Sequence, residues 1–207
     1  TGLCNIAKSG TWANGMAREI PLFPLNTVLF PGGPLPLRIF EPRYVDMVGR
    51  CLRENQGFGV VLIRDGTETG TAEFHDVGTL ARVVDFTQLP EGLLGLATIG
   101  GERFRVRSHH RQADGLNVGD VEFLHEEPVR ELPEEFRHLG DVLGKLLPEL
   151  GEHYAHVENR PTDASWVGYR LAEILPLTPE SRQYCLELDH PLERLRLLDA
   201  LINRQNV

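Results

Sequence analysis

The stretch "IPLFPLNTVLFPGGPLPLRIFEPRY", Ile20 to Tyr44, decides how the rest of the chain is read. Large apolar residues share it with six prolines. Proline fixes φ and carries no N–H, so this run makes neither a membrane span nor a long helix, only short extended pieces joined by turns. The sharpest turn is "FPGGP", Phe30 to Pro34, and strands are expected on either side of it, over Val28–Phe30 and Leu35–Phe40. Pro42 suits the first turn of a helix, and Tyr44, Met47, Val48, Cys51 and Leu52 then recur at helical spacing until about Gly57.

Outward from this opening, "FGVVLI" (Phe58 to Ile63) is a continuous apolar run of strand length, and "DGTETGTAEFHD" (Asp65 to Asp76) reads as a polar, Gly-rich loop. Four strand-like runs follow, "TLARVVDF", "LLGLATI", "RFRVRSHH" and "VGDVEFLHE". "LPEG" (Leu89 to Gly92) separates the first two as a type I turn with a bulge, and "ADGL" (Ala113 to Leu116) separates the last two as an Asp-Gly hairpin. After Pro128 the period changes to that of helices. Leu132, Phe136, Leu139, Leu143, Leu146, Leu147 and Leu150 form one stripe, with Pro148 as its bend or end. Asp163 is placed to cap a helix carrying Val167, Leu171, Ile174 and Leu175. Thr178 and Pro179 start another helix through Cys185 and Leu186, and a last one from Pro191 carries Leu195, Leu198, Leu201 and Ile202. Strands first and helices afterwards define an α+β chain, an antiparallel sheet or barrel over 18–127 and a helical bundle over 128–207 that shares its core. Residues 1–17 are expected to be an N-terminal extension or a tag remnant.

The net charge of −9 is spread evenly, with 11 basic against 16 acidic residues over 18–127 and 9 against 14 over 128–207. No basic half or face stands out, so nucleic acid is not the expected partner. No apolar run reaches the length of a bilayer span, so neither is a membrane. Three well-separated cysteines, Cys4, Cys51 and Cys185, form neither a zinc site nor a disulfide framework, and a reduced, cytoplasmic setting is expected.

Catalytic constellations are missing. Ser108, Ser165 and Ser181 lie in no GxSxG-like context, and Cys51 and Cys185 fall on apolar helix stripes where a buried thiol is the plainer reading. His153 and His156 beside Glu152 lack a third metal ligand, so neither a metal nor a cofactor is expected. In "ERFRVRSHHR", alternation puts Arg103, Arg105, Arg107 and His109 on one strand face. A two-residue Asp-Gly turn would set Arg107 against Glu122, Arg103 against Glu126 and His109 against Asp120. Three complementary pairs favour a solvated sheet face over a phosphate-binding stripe.

The opening "PLFPLNTVLFPGGPLPLRIFEPRY" resembles that of the N-terminal substrate-binding domain of the ATP-dependent protease Lon. "GTLARVVDFTQLPEGLLGLATIGGERFRV" (Gly78 to Val106) is similar to a second stretch of that family, and "LPLTPESRQYCLELDHPLERLRLLDALI" to its closing helices. The resemblance spans about residues 18 to 203. It implies a PUA-like β-barrel followed by a helical bundle, and a role in binding unfolded or extended polypeptides, with a separate protease or ATPase as a further partner. The GxxxxGK[ST] phosphate loop of an ATPase is absent, as is a protease domain with a serine-lysine pair, so a non-catalytic module is expected. Phe30, Leu35, Phe40, Arg43 and Tyr44 are the candidate peptide contacts. PUA-like folds also occur in RNA-binding proteins, which keeps an RNA-binding reading as the alternative.

Overall fold

The prolines of the opening sit where a strand ladder tolerates them. In the computed structural model, which describes residues 18–90 and 93–205, the chain begins with β1 (Arg18–Leu25) and β2 (Pro34–Ile39). The N-terminal extension expected over 1–17 lies outside the described residues. α1 (Pro42–Glu54), β3 (Phe58–Gly66), β4 (Ala72–Phe74), β5 (Val77–Gln88), β6 (Leu94–Arg111) and β7 (Asn117–Phe123) follow. The sheet order is β1-β7-β6-β5-β3-β4, and β1 also pairs in parallel with β3, so the path of hydrogen bonds returns to its first strand. All other pairings are antiparallel. β2 lies off this path and pairs with β6 alone.

Helices dominate the remainder. A 3-10 turn at Glu134–Phe136 leads into α2 (Arg137–Leu146), a 3-10 segment spans Leu147–Tyr154, and α3 (Ala164–Ile174), α4 (Pro179–Glu187) and α5 (Pro191–Gln205) complete the chain. The caps are those the sequence predicts. The Asp163 side chain accepts from the Ser165 N–H and the Thr178 side chain from the Ser181 N–H, while Pro42 and Pro179 occupy first turns. α2 stops just before Pro148, and the 3-10 segment that replaces it is itself kinked at Gly151, whose φ is 65°.

Several expectations are corrected. Val28–Phe30 is not a strand but a buried connection, whose apolar side chains turn into the core instead of alternating across a sheet. β4 runs through the stretch read as a polar loop; Phe74 is its one buried residue and gave too little signal. "LLGLATI" and "RFRVRSHH" belong to one strand, β6, which runs on through Gly100 and Gly101 with an irregularity in its pairing opposite Leu80 rather than a turn. The "LPEG" turn lies partly outside the described residues. At the other hairpin, Gln112 bonds to Leu116 around a three-residue loop with Gly115 at φ 87°, and a bulge between Val106 and Ser108 shifts the register again. Arg105, not Arg107, therefore lies opposite Glu122, and Ser108, not His109, opposite Asp120. The Arg107 and Glu122 side chains still meet in an exposed ion pair.

Arg103 departs furthest from expectation. It is buried, and its guanidinium donates to the Leu186 and Leu188 carbonyls (2.7 and 3.2 Å) and to Asp189 (3.2 Å). Nearby, Arg194 of α5 is fully buried, lies 3.8 Å over the Tyr169 ring, and binds Glu127 through both terminal nitrogens (3.1 and 2.5 Å). The Tyr169 hydroxyl also donates to Glu127 at 2.7 Å. These bonds hold the helices on the sheet above an apolar cluster drawn from both, including Val28, Phe30, Leu62 and Val77 with Phe136, Leu139, Val167 and Leu195.

Burial alone would push the Glu127 carboxyl up, but the Arg194 and Tyr169 hydrogen bonds outweigh it and leave it below the ordinary range. Its pKa is thus lower folded than unfolded. The stability this adds is fully present above the unfolded value of about 4.3 and is lost as pH falls through the folded one. Arg194→Met, which strands a buried carboxylate, should cost about 3–5 kcal/mol in urea unfolding at neutral pH. Glu127→Gln should flatten the acid limb of the stability-pH curve relative to the parent protein.

Candidate functional site

The candidate site is built around β2. The Gly33 carbonyl accepts from the Gly100 N–H at 2.9 Å, so Gly33 faces β6, and by alternation so do Leu35, Leu37 and Ile39. Pro34, Pro36 and Arg38 then present their main chain to the unpaired side. The prolines cost the β6 ladder nothing there, as expected of an edge strand. That open edge offers three carbonyls but only one N–H, from Arg38. This blunts self-pairing and limits how long a ladder an added strand can make.

A groove of about 280 Å³ is lined by Phe23, Leu25, β2, Phe40, Tyr44 and the Glu68–Thr69 turn. A second groove of about 610 Å³ is lined by β2, the end of β5, the start of β6, and Glu152 and His156. The two share Leu35, Pro36, Leu37 and Arg38. Phe40 and Phe86 are 63% and 58% exposed, and Val84 lies open beside Phe86. Beyond Ala81, β5 pairs only with β6, which leaves this end of the three-stranded patch uncovered.

Of the residues singled out from sequence, Leu35, Phe40 and Tyr44 come together around the smaller groove. Tyr44 is only 3% exposed, stacked on Phe23 with centroids 4.0 Å apart, and forms its floor. Arg43 lies beneath the surface. It donates to the Gly115 carbonyl at 2.9 Å and pairs with Glu41 at 2.7 Å, tying the start of α1 to the β6–β7 turn. Phe30 is fully buried against Tyr169, at the junction of sheet and helices. Leu37, Val84 and Phe86 were missed. Their apolar alternation was visible, but which strand edge is left unpaired was not.

The turn feeding β2 is held from the helical side. Arg170, with no exposed surface, donates to the Pro31 carbonyl at 3.0 Å and pairs with Glu173 at 3.1 Å, and Glu173 accepts from the Tyr154 hydroxyl. Burial pushes the Glu173 carboxyl up and the Arg170 guanidinium down. Gly32 adopts φ 69°, and Gly33 packs directly on this cluster. Burial pushes the Cys51 thiol up to about 11 and that of Cys185 also upward, which makes both poor nucleophiles at neutral pH. Among the described residues no group of three His, Cys, Asp or Glu side chains is placed to hold a metal; the side chain of His153 is not among those described.

A mostly antiparallel sheet, five α-helices among the described residues and an exposed strand flanked by grooves define a Lon N-terminal domain fold. The crystal structure of a Lon N-terminal domain protein from Xanthomonas campestris is similar with a TM-score of 0.74 and 38% identity, over 88% of this chain and 98% of that one. The chain belongs to the family of the ATP-dependent protease La (LON) substrate-binding domain, which matches residues 19–204. It is 28% identical over 194 residues to a Lon protease of Anaeromyxobacter dehalogenans, covering 90% of this chain but 23% of that protein. It is also 30% identical over 149 residues to protein cereblon of Danio rerio, covering 70% of this chain and 32% of that one.

A Cβ on Gly33 would fall on the Glu173 carboxylate, 2.6 Å from Arg170 Nη2 and 3.1 Å from the Phe30 carbonyl. Gly33→Ala should therefore destabilise the protein by about 1–3 kcal/mol, and heteronuclear NMR should show the largest shifts in β2 and α3. A neutral effect on unfolding would show that this clamp is slack.

Proposed function

We propose that this protein is a non-catalytic polypeptide-binding module that holds exposed apolar or extended segments of other proteins on the surface around β2. The observation that carries this reading is the pair of grooves sharing Leu35–Arg38, with Phe40 and Phe86 uncovered beside them, on a Lon substrate-binding domain. Apolar side chains of a client would enter the grooves, and its main chain would use the β2 carbonyls over a short length. Leu35, Phe40 and Tyr44 are then contacts, while Phe30 and Arg43 act by holding the surface in shape. The closed pairing path of the sheet supports a PUA-like barrel over 18–127, with the helical bundle of 128–207 sharing its core. A cytoplasmic setting, and cooperation with a separate protease or ATPase, complete the proposal.

RNA binding is the less favoured reading on this surface. Of the basic stripe that would serve it, Arg103 is buried and bonded to the helices, and Arg107 is already paired with Glu122.

Binding of fluorescently labelled, chemically unfolded casein should be measurable by anisotropy and should survive moderate salt, which screens mainly exposed charges. Burying a phenylalanine is worth about 1.5–3 kcal/mol, so Phe40→Ser combined with Phe86→Ser should weaken it by about tenfold or more without loss of fold. Tight RNA binding with a steep salt slope, together with casein binding that ignores both substitutions, would overturn the proposal.

A further inference from the structure

The three-stranded patch of β2, β6 and β5 ends in two open edges, and they are closed by different means. On β2 the prolines remove N–H groups. The other edge, the stretch of β5 from Arg82 to Gln88 that β3 does not reach, reads "RVVDFTQ" and contains no proline. Valine, phenylalanine and threonine are the residues that pair most readily with another extended chain. In a protein that gathers unfolded polypeptide beside Phe86, such an edge would draw clients into the sheet and would also pair with its own copy.

The register identifies which groups this edge presents. Gly100 turns its main chain toward β2, so Thr98 and Leu96 do the same, and Ala97 and Gly95 turn theirs toward β5. Their partners Asp85 and Thr87 therefore bond to β6, and Phe86 and Gln88 face away from it. The Phe86 N–H, near the middle of the edge, is already taken: the Asp85 carboxylate accepts it at 2.8 Å. An incoming strand thus meets an anion where its carbonyl needs a donor, and pairing must first break a hydrogen bond to a charged acceptor. The irregularity between Val83 and Asp85 adds a bulge just before this point, which interrupts the even spacing a ladder requires. Asp85 is exposed and forms no ion pair among the described residues, and aspartate is a poor strand former. Neither packing nor charge pairing explains it in the middle of β5, whereas the bond to the Phe86 N–H does.

We propose that Asp85 guards the β5 edge against strand addition. A client is then held by its side chains in the grooves and by its short main-chain contact with β2, and it leaves without having been built into the sheet. The same hydrogen bond keeps two copies of the chain from joining edge to edge about Phe86, where a symmetric antiparallel pair would let each Phe86 N–H serve the other copy's carbonyl. The first consequence rests on the polypeptide-binding reading and the second does not.

Asp85→Ala removes the acceptor, while Asp85→Asn keeps an amide oxygen that still accepts from Phe86. Because the side chain is exposed, both variants should keep the far-UV circular dichroism and the urea midpoint of the parent protein. Light scattering on Asp85→Ala should show a mass that climbs with concentration toward twice that of the parent, and labelled unfolded casein should leave this variant at least fivefold more slowly. Asp85→Asn should match the parent in both respects. Adding Gln88→Pro to Asp85→Ala deletes the next outward N–H and should reverse both changes. An Asp85→Ala protein with the parent's mass and casein dissociation rate would overturn the proposal. So would an Asp85→Asn protein that associates as strongly as Asp85→Ala, or an association that Gln88→Pro leaves intact. If casein binding still depends on Phe40 and Phe86 while Asp85→Ala changes nothing, only this inference has failed. Self-association of Asp85→Ala in a protein that binds no casein would retain the guard and remove the polypeptide-binding reading.

Discussion

One buried carboxylate, that of Glu127, organises the junction on which the rest of the structure depends. It accepts from Arg194 on α5 and Tyr169 on α3, and Arg103 of β6 approaches it at 3.8 Å. Two buried guanidinium groups beside a single carboxylate would be costly if left there. The main chain supplies the remaining partners: Arg194 also donates to the Cys185 and Leu188 carbonyls, and Arg103 to those of Leu186 and Leu188. The α4–α5 connection is thereby fixed to the sheet through its own backbone. Such a network adds less net stability than apolar contacts of the same volume, but it has few alternative arrangements. It sets the position of the helices, whereas the surrounding apolar cluster supplies the larger share of the driving force.

From that junction the constraint passes to β2. With α3 held by Tyr169, Arg170 one residue on reaches the Pro31 carbonyl, and the turn it grips aims β2 along β6. The helical part therefore helps determine the shape of the surface proposed to meet polypeptides, although the segment Glu152–His156 is its main contribution to the groove walls. Prolines at the open side of β2 and aromatic residues beside it divide the labour. The first discourage unlimited strand pairing, and the second offer area that does not depend on register.

Much of this was legible in the chain. The three helices after Asp163 announced themselves by Asp163, Thr178 and Pro191 at their starts and by their apolar spacing, because capping and periodicity are local properties. Pro42 marked α1 in the same way. What failed was non-local. Val28–Phe30 has strand composition but serves as core filling. Arg103 looks like Arg105 and Arg107 in sequence, yet helices from the far end of the chain cover it alone. The β6–β7 register depended on one residue more in the hairpin loop and one bulge. Of the proposed site, Leu35, Phe40 and Tyr44 could be picked from their stretch, whereas Phe86 required knowing that β3 leaves β5 after Ala81.

The central claim is that unfolded chains bind across β2 and the end of β5, and amide hydrogen exchange in the presence of saturating unfolded casein tests it most directly. The account predicts slowed exchange over Leu35–Phe40 and Val84–Gln88, with α2 and α5 unchanged. Protection confined to the helices, or to the Arg105–Arg111 stretch of β6, would contradict it.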